Sequence, residues 1–275
     1  FGMRKDFVTV LRLFHDTEHL IDDVYTGIAK DFAKNDDALH YIAERPLAHF
    51  ENSSKQLTAS AVAKTSHNYQ QVLKSHRSAS LLEYFMVFVE TSSQVLDQVT
   101  KGKVKAFVDT LTNEDVTSFP VNEASAILLI KFLIESNSTK QAIEYAFKLV
   151  KEHPTISESN GVWALLFGFL NKLREANSSM RKPSINMLLT TSNSRFSAWT
   201  DPDIVKSDEE IASLYRTALK SVNRAASAPI WDSYLTFCFE TKMPFEELQT
   251  IFQVRPKQNP YNANITHYLC CIESY

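Results

Sequence analysis

The sequence predicts an all-α protein, an α-α superhelix in which antiparallel helix pairs stack into a solenoid. Glycine is scarce, at 5 of 275 residues, whereas sheets, hairpin turns and phosphate-binding loops use glycine wherever the backbone needs positive φ. Apolar residues instead recur with the period of amphipathic helices. A shared frame of large apolar residues returns at intervals of roughly 32 to 45 residues, the range for repeats of two helices. A plain helical bundle, the alternative architecture, would show the same stripes without the shared frame.

Composition and charge exclude several classes of protein. The chain has 29 basic and 32 acidic residues and a net charge of −3, which does not suit a protein that mainly neutralises phosphates. No GxGxxG or GxxxxGK[ST] motif occurs, so Rossmann and Walker nucleotide sites are excluded. The three cysteines form no CxxC pair and predict no zinc site. We therefore expect no cofactor, no metal and no small-molecule substrate. We expect no membrane partner either, because the apolar runs are too short to cross a bilayer.

Two helices are predicted near the start of the chain, over residues 6–14 and 17–28, with a turn that begins at His15. His15, Glu18 and His19 also fit the pattern HxxEH, in which two histidines bind zinc and the glutamate acts on its water. That chemistry needs both histidines on one face of a continuous helix, which the predicted turn interrupts. A zinc peptidase is therefore a remote alternative, and we expect the chain not to be an enzyme.

The repeating frame places an apolar or aromatic residue at every third position of a helix, often followed by an acid. The candidate repeat-motif residues are Leu81, Tyr84 and Glu90; Leu129, Phe132 and Glu135; Trp163, Leu166 and Phe169; and Trp231, Tyr234, Phe237 and Glu240. Leu39 begins a weaker early frame. Trp199 is expected to anchor a further one, and Asn264 or Ile265, with Tyr268 and Glu273, the last one. Polar insertions at Asn52–Lys64 and Thr91–Lys103 are expected to explain the longer early intervals.

Two predicted helices in the second half of the chain carry a single apolar stripe. They cover Ser138–Glu152, which Pro154 ends, and Ser207–Val222. Each is predicted to start with a capping box. The box pairs Ser138 with Gln141 in the first helix and Ser207 with Glu210 in the second.

The helices that follow them, Val162–Leu173 and Pro229–Lys242, are apolar over a wider arc. In the second of these the arc spans about 200°, whereas a helix on a protein surface needs only about 100°. Such a helix must be covered from two sides, as happens inside a stack of helix pairs. Cys238 lies within the arc and is predicted to be a core residue.

A single solenoid of about six to seven repeats is expected over residues 1–275, with an irregular stretch at residues 174–202. Because the chain begins FGMRKDF without an initiator Met, we expect it to be the C-terminal part of a longer protein.

Three short polar groups are predicted to have no chemical role. The basic groups Lys101-Lys103-Lys105 and Arg181-Lys182 are expected to be solvated loops rather than phosphate contacts. The group formed by His267, Cys270 and Cys271 is expected to belong to a packed terminal helix rather than to a reactive or metal-binding pair.

The segment Trp231–Phe237, preceded by the amphipathic helix around Ile211–Leu219, resembles the HAT (half-a-TPR) repeat of RNA-processing factors. Within that family, Glu18–Leu47, Tyr69–Glu90 and Thr217–Glu240 are similar to the HAT-repeat subunits of the UTP-B complex of the small-subunit processome. Leucine or alanine replaces the motif tryptophan in the earlier repeats.

The resemblance implies a non-catalytic protein-protein interaction scaffold in ribosome biogenesis, needed for pre-18S rRNA processing and located in the nucleolus of the nucleus. Its expected partners are the other UTP-B subunits, WD-repeat propeller proteins and their extended tails. Pre-rRNA and small nucleolar RNA are expected to be contacted indirectly. HAT proteins also serve in splicing and in mRNA 3′-end cleavage, and those alternatives stay open.

Overall fold

The computed structural model describes residues 1–11, 18–47, 58–114, 118–181, 207–222 and 227–243, and every regular element within them is helical. For these residues the all-α prediction is confirmed. The elements are α1 (Gly2–Leu11), α2 (Glu18–Asp31), α3 (Asp36–Ala43), the 3-10 helix η1 (Arg45–Leu47), α4 (Ala59–Ser75), α5 (Ala79–Thr91), α6 (Gln98–Asn113), α7 (Glu123–Glu135), α8 (Thr139–Glu152), α9 (Pro154–Ser157), α10 (Asn160–Arg181), α11 (Asp208–Ser221) and α12 (Ala228–Glu240). In this part of the chain, none of the helices combines the length and the apolar character that a bilayer span requires.

The chain divides into two compact units, Phe1–Phe132 and Leu133–Tyr275, and the division falls inside α7. In the first unit, each helix from α1 to α4 packs against the helix that follows it. Two helices also pack against the next but one, α3 against α5 and α4 against α6. Aromatic rings join α4, α5 and α6, because Phe85 contacts Tyr69 at 5.6 Å and Phe107 at 5.8 Å between ring centroids.

In the second unit, α10 lies between α8 and α12, and α12 also packs against α11. The Tyr215 ring of α11 stacks on Phe167 of α10 at 3.7 Å and on Tyr234 of α12 at 5.0 Å between centroids. Such aromatic pairs contribute about 0.5–1.5 kcal/mol beyond their burial. The prediction that the two wide-arc helices are covered from two sides is confirmed, although Phe239, placed in the arc, is 41% exposed.

The N-termini of α8 and α11 differ, although both were predicted to carry a capping box. At α11 the box is present, because the Ser207 hydroxyl accepts from Glu210 N at 3.2 Å and the Glu210 carboxylate accepts from Ser207 N at 2.9 Å. At α8 the prediction is wrong, since Ser138 occupies the N-cap position without a side-chain capping bond.

The end of α7 explains why Ser138 cannot cap α8. Asn137 has a positive φ of 59°, and Ser138 N donates to Leu133 O at 2.8 Å while Asn137 N donates to Ile134 O at 3.0 Å. These two bonds form a Schellman motif. Ser138 therefore already terminates one helix, and its ψ of 46° is not the extended value of Thr58, Ser78 and Ser207, whose side chains do cap their helices.

Several predicted boundaries are wrong. The first helix begins at Gly2 instead of residue 6, whereas its predicted end at residue 14 and the turn expected at His15 lie outside the described residues. The two segments expected to be polar insertions contain the first turns of α4 and α6. The buried stripe of each helix is narrow there, with Val62 on α4 and Val104 on α6 lying among polar neighbours. The helix predicted to end at Leu173 continues as α10 to Arg181, so the irregular stretch does not begin at residue 174. As predicted, α8 ends before Pro154.

Candidate functional site

A cleft of about 330 Å³ lies between α4 and α6 in the first unit. Its walls are two helix faces, since the lining residues on each helix are spaced three or four apart. The cleft is lined by Gln70, Leu73 and Lys74 of α4 and by Arg77 just after it; by Lys103, Ala106, Phe107, Thr110 and Leu111 of α6; and by Glu114 and Phe119 beyond α6.

The floor of the cleft is apolar and well packed. Leu73, Phe107, Leu111 and Phe119 are all buried, with Phe107 and Phe119 only 9% and 5% exposed. Ala106 is exposed at the rim, so the floor can be reached from solvent. Burying apolar surface of a ligand there would contribute about 25 cal/mol per Å² before the costs of association.

Arg77 closes one end of the cleft. Its guanidinium forms an ion pair with the Glu114 carboxylate at 2.9 Å, donates to Ser118 O at 3.1 Å and lies 5.7 Å from the centroid of the Phe119 ring. These contacts hold the chain that follows α6 against the end of α4. The ion pair is partly exposed and is therefore worth at most about 1 kcal/mol, so its main effect is to position Phe119 and to neutralise Glu114.

Two lysines leave positive charge at the cleft. Lys74 and Lys103 are exposed on opposite walls, and neither forms an ion pair within the described parts of the chain. The carboxylate of Asp97, the N-cap of α6, has a pKa below its usual value. The main cause is the hydrogen bond that Thr100 N donates to it at 2.7 Å, and the positive charge of Lys103 lowers this pKa least. The cleft thus combines an apolar floor with two ammonium groups and one neutralised pair.

A second polar cluster joins α3 to the start of α5. The Asp36 carboxylate is bound by the Ser78 hydroxyl at 2.5 Å and by His76 Nε2 at 2.9 Å. These are the residue types of a hydrolytic triad, but a triad needs the serine bonded to the histidine. Ser78 instead donates to the acid and accepts from Leu81 N as the N-cap of α5. This cluster therefore links helices and does not activate a nucleophile.

Eight of the thirteen predicted repeat-motif residues are buried in the cores of the two units, and none of the thirteen lines the cleft. Those that are buried are Leu81, Leu129, Trp163, Leu166, Phe169, Trp231, Tyr234 and Phe237. Tyr84 and Phe132 are partly exposed, and the acids Glu90, Glu135 and Glu240 are exposed. Only one acid of the frame has a described ion pair, Glu240 with Arg174. Cys238 is buried, as predicted.

The two basic groups were predicted to be loops, and for the first this is wrong. Lys101, Lys103 and Lys105 lie on α6, where alternate residues point in different directions, and only Lys103 lines the cleft. Arg181 is the last residue of α10, and its neighbour Lys182 is outside the described residues.

Of the HxxEH pattern, His19 is exposed on α2, while His15 is among the residues that the structure does not describe. Also outside the described residues are Trp199, Asn264, Ile265, His267, Tyr268, Cys270, Cys271 and Glu273. Among the residues that are described, no group of three or more His, Cys, Asp or Glu side chains could hold a metal ion.

Lys74, Arg77 and the whole cleft were not predicted from the sequence. The only signal was two cations three residues apart, one in the last turn of α4 and one just after it, and such a pair is common at solvated helix ends. In comparisons with known proteins, no family model matches the chain and no curated protein is significantly similar to it.

Proposed function

We propose that this chain is a non-catalytic scaffold for protein-protein interaction, built as a HAT-type α-α superhelix and acting in ribosome biogenesis. In this proposal it is a counterpart of the HAT-repeat subunit of the UTP-B complex, the U-three small-nucleolar-RNA-associated protein six. It would work in the nucleolus and hold WD-repeat propeller subunits and their extended tails during pre-18S rRNA processing.

The observation that supports this most is the order of helix packing within each unit. In the first unit α4 contacts the next helix and the next but one, α5 and α6, and in the second unit α10 contacts the next but one on either side, α8 and α12. Repeat proteins of stacked helix pairs bury their apolar faces in this way and present long surfaces to partners. The buried frame residues Trp163 and Trp231 lie on two of the helices that are covered from both sides.

The surface chemistry favours polypeptide partners over nucleic acid. The net charge of −3 gives no general attraction for phosphate. The cleft between α4 and α6 offers an apolar floor of the kind that anchors side chains of a bound segment. Contact with pre-rRNA or small nucleolar RNA would then be made through other subunits.

Affinity purification of the full-length protein, followed by identification of the co-purifying chains and RNA, tests this proposal. We expect propeller subunits of UTP-B and the U-three small nucleolar RNA to co-purify. Recovery of splicing or 3′-end cleavage factors instead would move the scaffold to another RNA-processing complex. Recovery of no partner proteins at all would contradict the scaffold function itself.

A further inference from the structure

We propose that the cleft between α4 and α6 binds an acidic segment of a partner protein, which inserts an apolar side chain over Leu73 and Phe107 and pairs its carboxylates with Lys74 and Lys103. This inference rests on the proposed scaffold function, and it adds the site and the chemistry of the ligand.

The shape of the cleft suits anchoring side chains. Its volume of about 330 Å³ is at the lower end of the range of small-molecule pockets, so it fits one or two side chains of a passing segment better than a whole cofactor. Leu73 and Phe107 line the cleft and are buried, so a partner's apolar side chain that enters it meets an apolar lining of the kind that takes interface anchors.

The charge of the cleft specifies an acidic ligand. Among the described residues that line it, three are cations and one, Glu114, is an acid, which already forms an ion pair with Arg77 at 2.9 Å. Lys74 and Lys103 therefore present two ammonium groups on opposite walls to whatever enters. A carboxylate on each side of an apolar anchor would complement this arrangement, whereas a basic segment would be repelled.

The aromatic rings favour a peptide over single-stranded RNA. Proteins that bind single-stranded nucleic acid stack its bases on exposed aromatic faces within a broadly positive groove. Here Phe107 and Phe119 are 9% and 5% exposed, so neither ring offers a face to a base.

The cleft also has a direction. The contacts of Arg77 with Glu114, Ser118 and Phe119 close one end. At the other end Val99, one turn before Lys103 on the same face of α6, is 67% exposed. A bound segment would therefore leave the cleft across Val99 and place a second apolar residue there.

Fluorescence anisotropy with the full chain tests the proposal. The probe is a fluorescein-labelled synthetic peptide of aspartates and glutamates that carries two phenylalanines. Matched peptides replace either the phenylalanines by serine or the acids by lysine, and a labelled oligouridylate tests RNA. We expect binding of the first peptide only, with an affinity that falls as salt is added.

Variants locate that binding. Reversal of both rim charges, Lys74→Glu with Lys103→Glu, is expected to weaken binding about tenfold or more. The control Lys64→Glu with Lys101→Glu makes the same charge change on the same two helices outside the cleft and should leave the affinity within about twofold. Ala106→Trp, which fills the cleft from its exposed rim, should weaken binding about tenfold, whereas Ala164→Trp on an exposed face of α10 should not.

The proposal is overturned if the acidic peptide does not bind, if the cleft variants bind it like their controls, or if oligouridylate binds more tightly through Lys74 and Lys103. Affinity purification with Ala106→Trp separates this inference from the scaffold function. If that variant keeps every partner of the wild type, the inference about the cleft is wrong and the proposed scaffold function is unaffected. If the wild-type protein recovers no partner, the proposed scaffold function is wrong, and the peptide titration still decides what the cleft binds.

Discussion

Ser207 and Ser138 occupy the same position before a helix, but only Ser207 caps its helix with its side chain. We expect Ser207→Ala to lower the free energy of unfolding by about 1 kcal/mol, because it removes one acceptor for the orphan amides of α11. Ser138→Ala should change it by less than about 0.5 kcal/mol, since no capping bond is lost. Urea unfolding of both variants measures the difference, and equal losses would contradict the assignment of the caps.

Tyr145 on α8 is buried, and this burial raises the pKa of its hydroxyl above the ordinary value of 10.0. In the unfolded chain the hydroxyl ionises near pH 10, whereas in the folded protein it stays protonated. Its contribution to stability is therefore complete below pH 10 and is lost as pH rises towards the folded-state pKa.

We expect Tyr145→Phe to remove this sensitivity to alkali. Above pH 10 the wild type should lose about 1.4 kcal/mol more per pH unit than the variant. Both proteins should still lose some stability, because the pKa values of the buried Tyr69 and Tyr215 are raised mainly by burial as well. Urea unfolding at a series of pH values gives the two slopes, and identical slopes would show that Tyr145 ionises equally in both states.

At the level of single residues, burial was more predictable from the sequence than polar contacts. The helical period placed Trp163, Leu166 and Cys238 in the core, where they lie. The Ser138 cap was wrong because its outcome depends on how the preceding helix ends. The positive φ at Asn137 that decides this has no signal in a hydropathy pattern.

At the level of helices, α12 ends in the same way as α7 but with a less suitable residue. Lys242 has a positive φ of 52°, and Lys242 N and Met243 N donate to Phe239 O and Cys238 O at 3.2 Å and 3.0 Å. This is a second Schellman motif, with a lysine in the left-handed region that glycine adopts without strain.

We expect Lys242→Gly to raise the free energy of unfolding by about 0.5–1 kcal/mol, because the left-handed strain is relieved and outweighs the extra entropy of glycine in the unfolded chain. Asn137→Gly should gain less, since asparagine tolerates that conformation better. Thermal unfolding of the two variants compares them. A loss of stability in Lys242→Gly would mean that its aliphatic chain packs usefully against the helix end.

Helix boundaries were predicted well where a specific residue ends the helix and poorly elsewhere. Pro154 ended α8 as expected, because proline cannot continue a helix. The first turns of α4 and α6 were taken for insertions, since their buried stripes consist of small or β-branched residues such as Ala61 and Thr100. Such a narrow stripe is hard to distinguish from a polar loop by periodicity alone.

For the whole molecule, the all-helical interior leads to a spectroscopic prediction. The described core side chains all come from helices or from the short segments between them. We expect a far-UV circular dichroism spectrum dominated by helix and lost on heating. A spectrum with a strong β contribution would contradict the fold.

The fold class followed from the sequence, but the candidate site did not. Few glycines and repeated amphipathic stripes are local properties, and they determine that the chain forms helices. The cleft depends on which helices become neighbours, here α4 and α6 with α5 between them in the chain. Nothing in the spacing of Lys74 and Lys103 along the sequence shows that both line the same cleft of about 330 Å³.

The position of α10 between α8 and α12 has a consequence for shortened versions of the protein. A truncation that removes α11 and α12 would expose Phe167 on α10, whose ring stacks on Tyr215. Large apolar patches exposed in this way promote self-association. Such a fragment should collect in inclusion bodies when it is overproduced. A fragment that retains α11 and α12 should stay in solution, because this side of α10 remains covered.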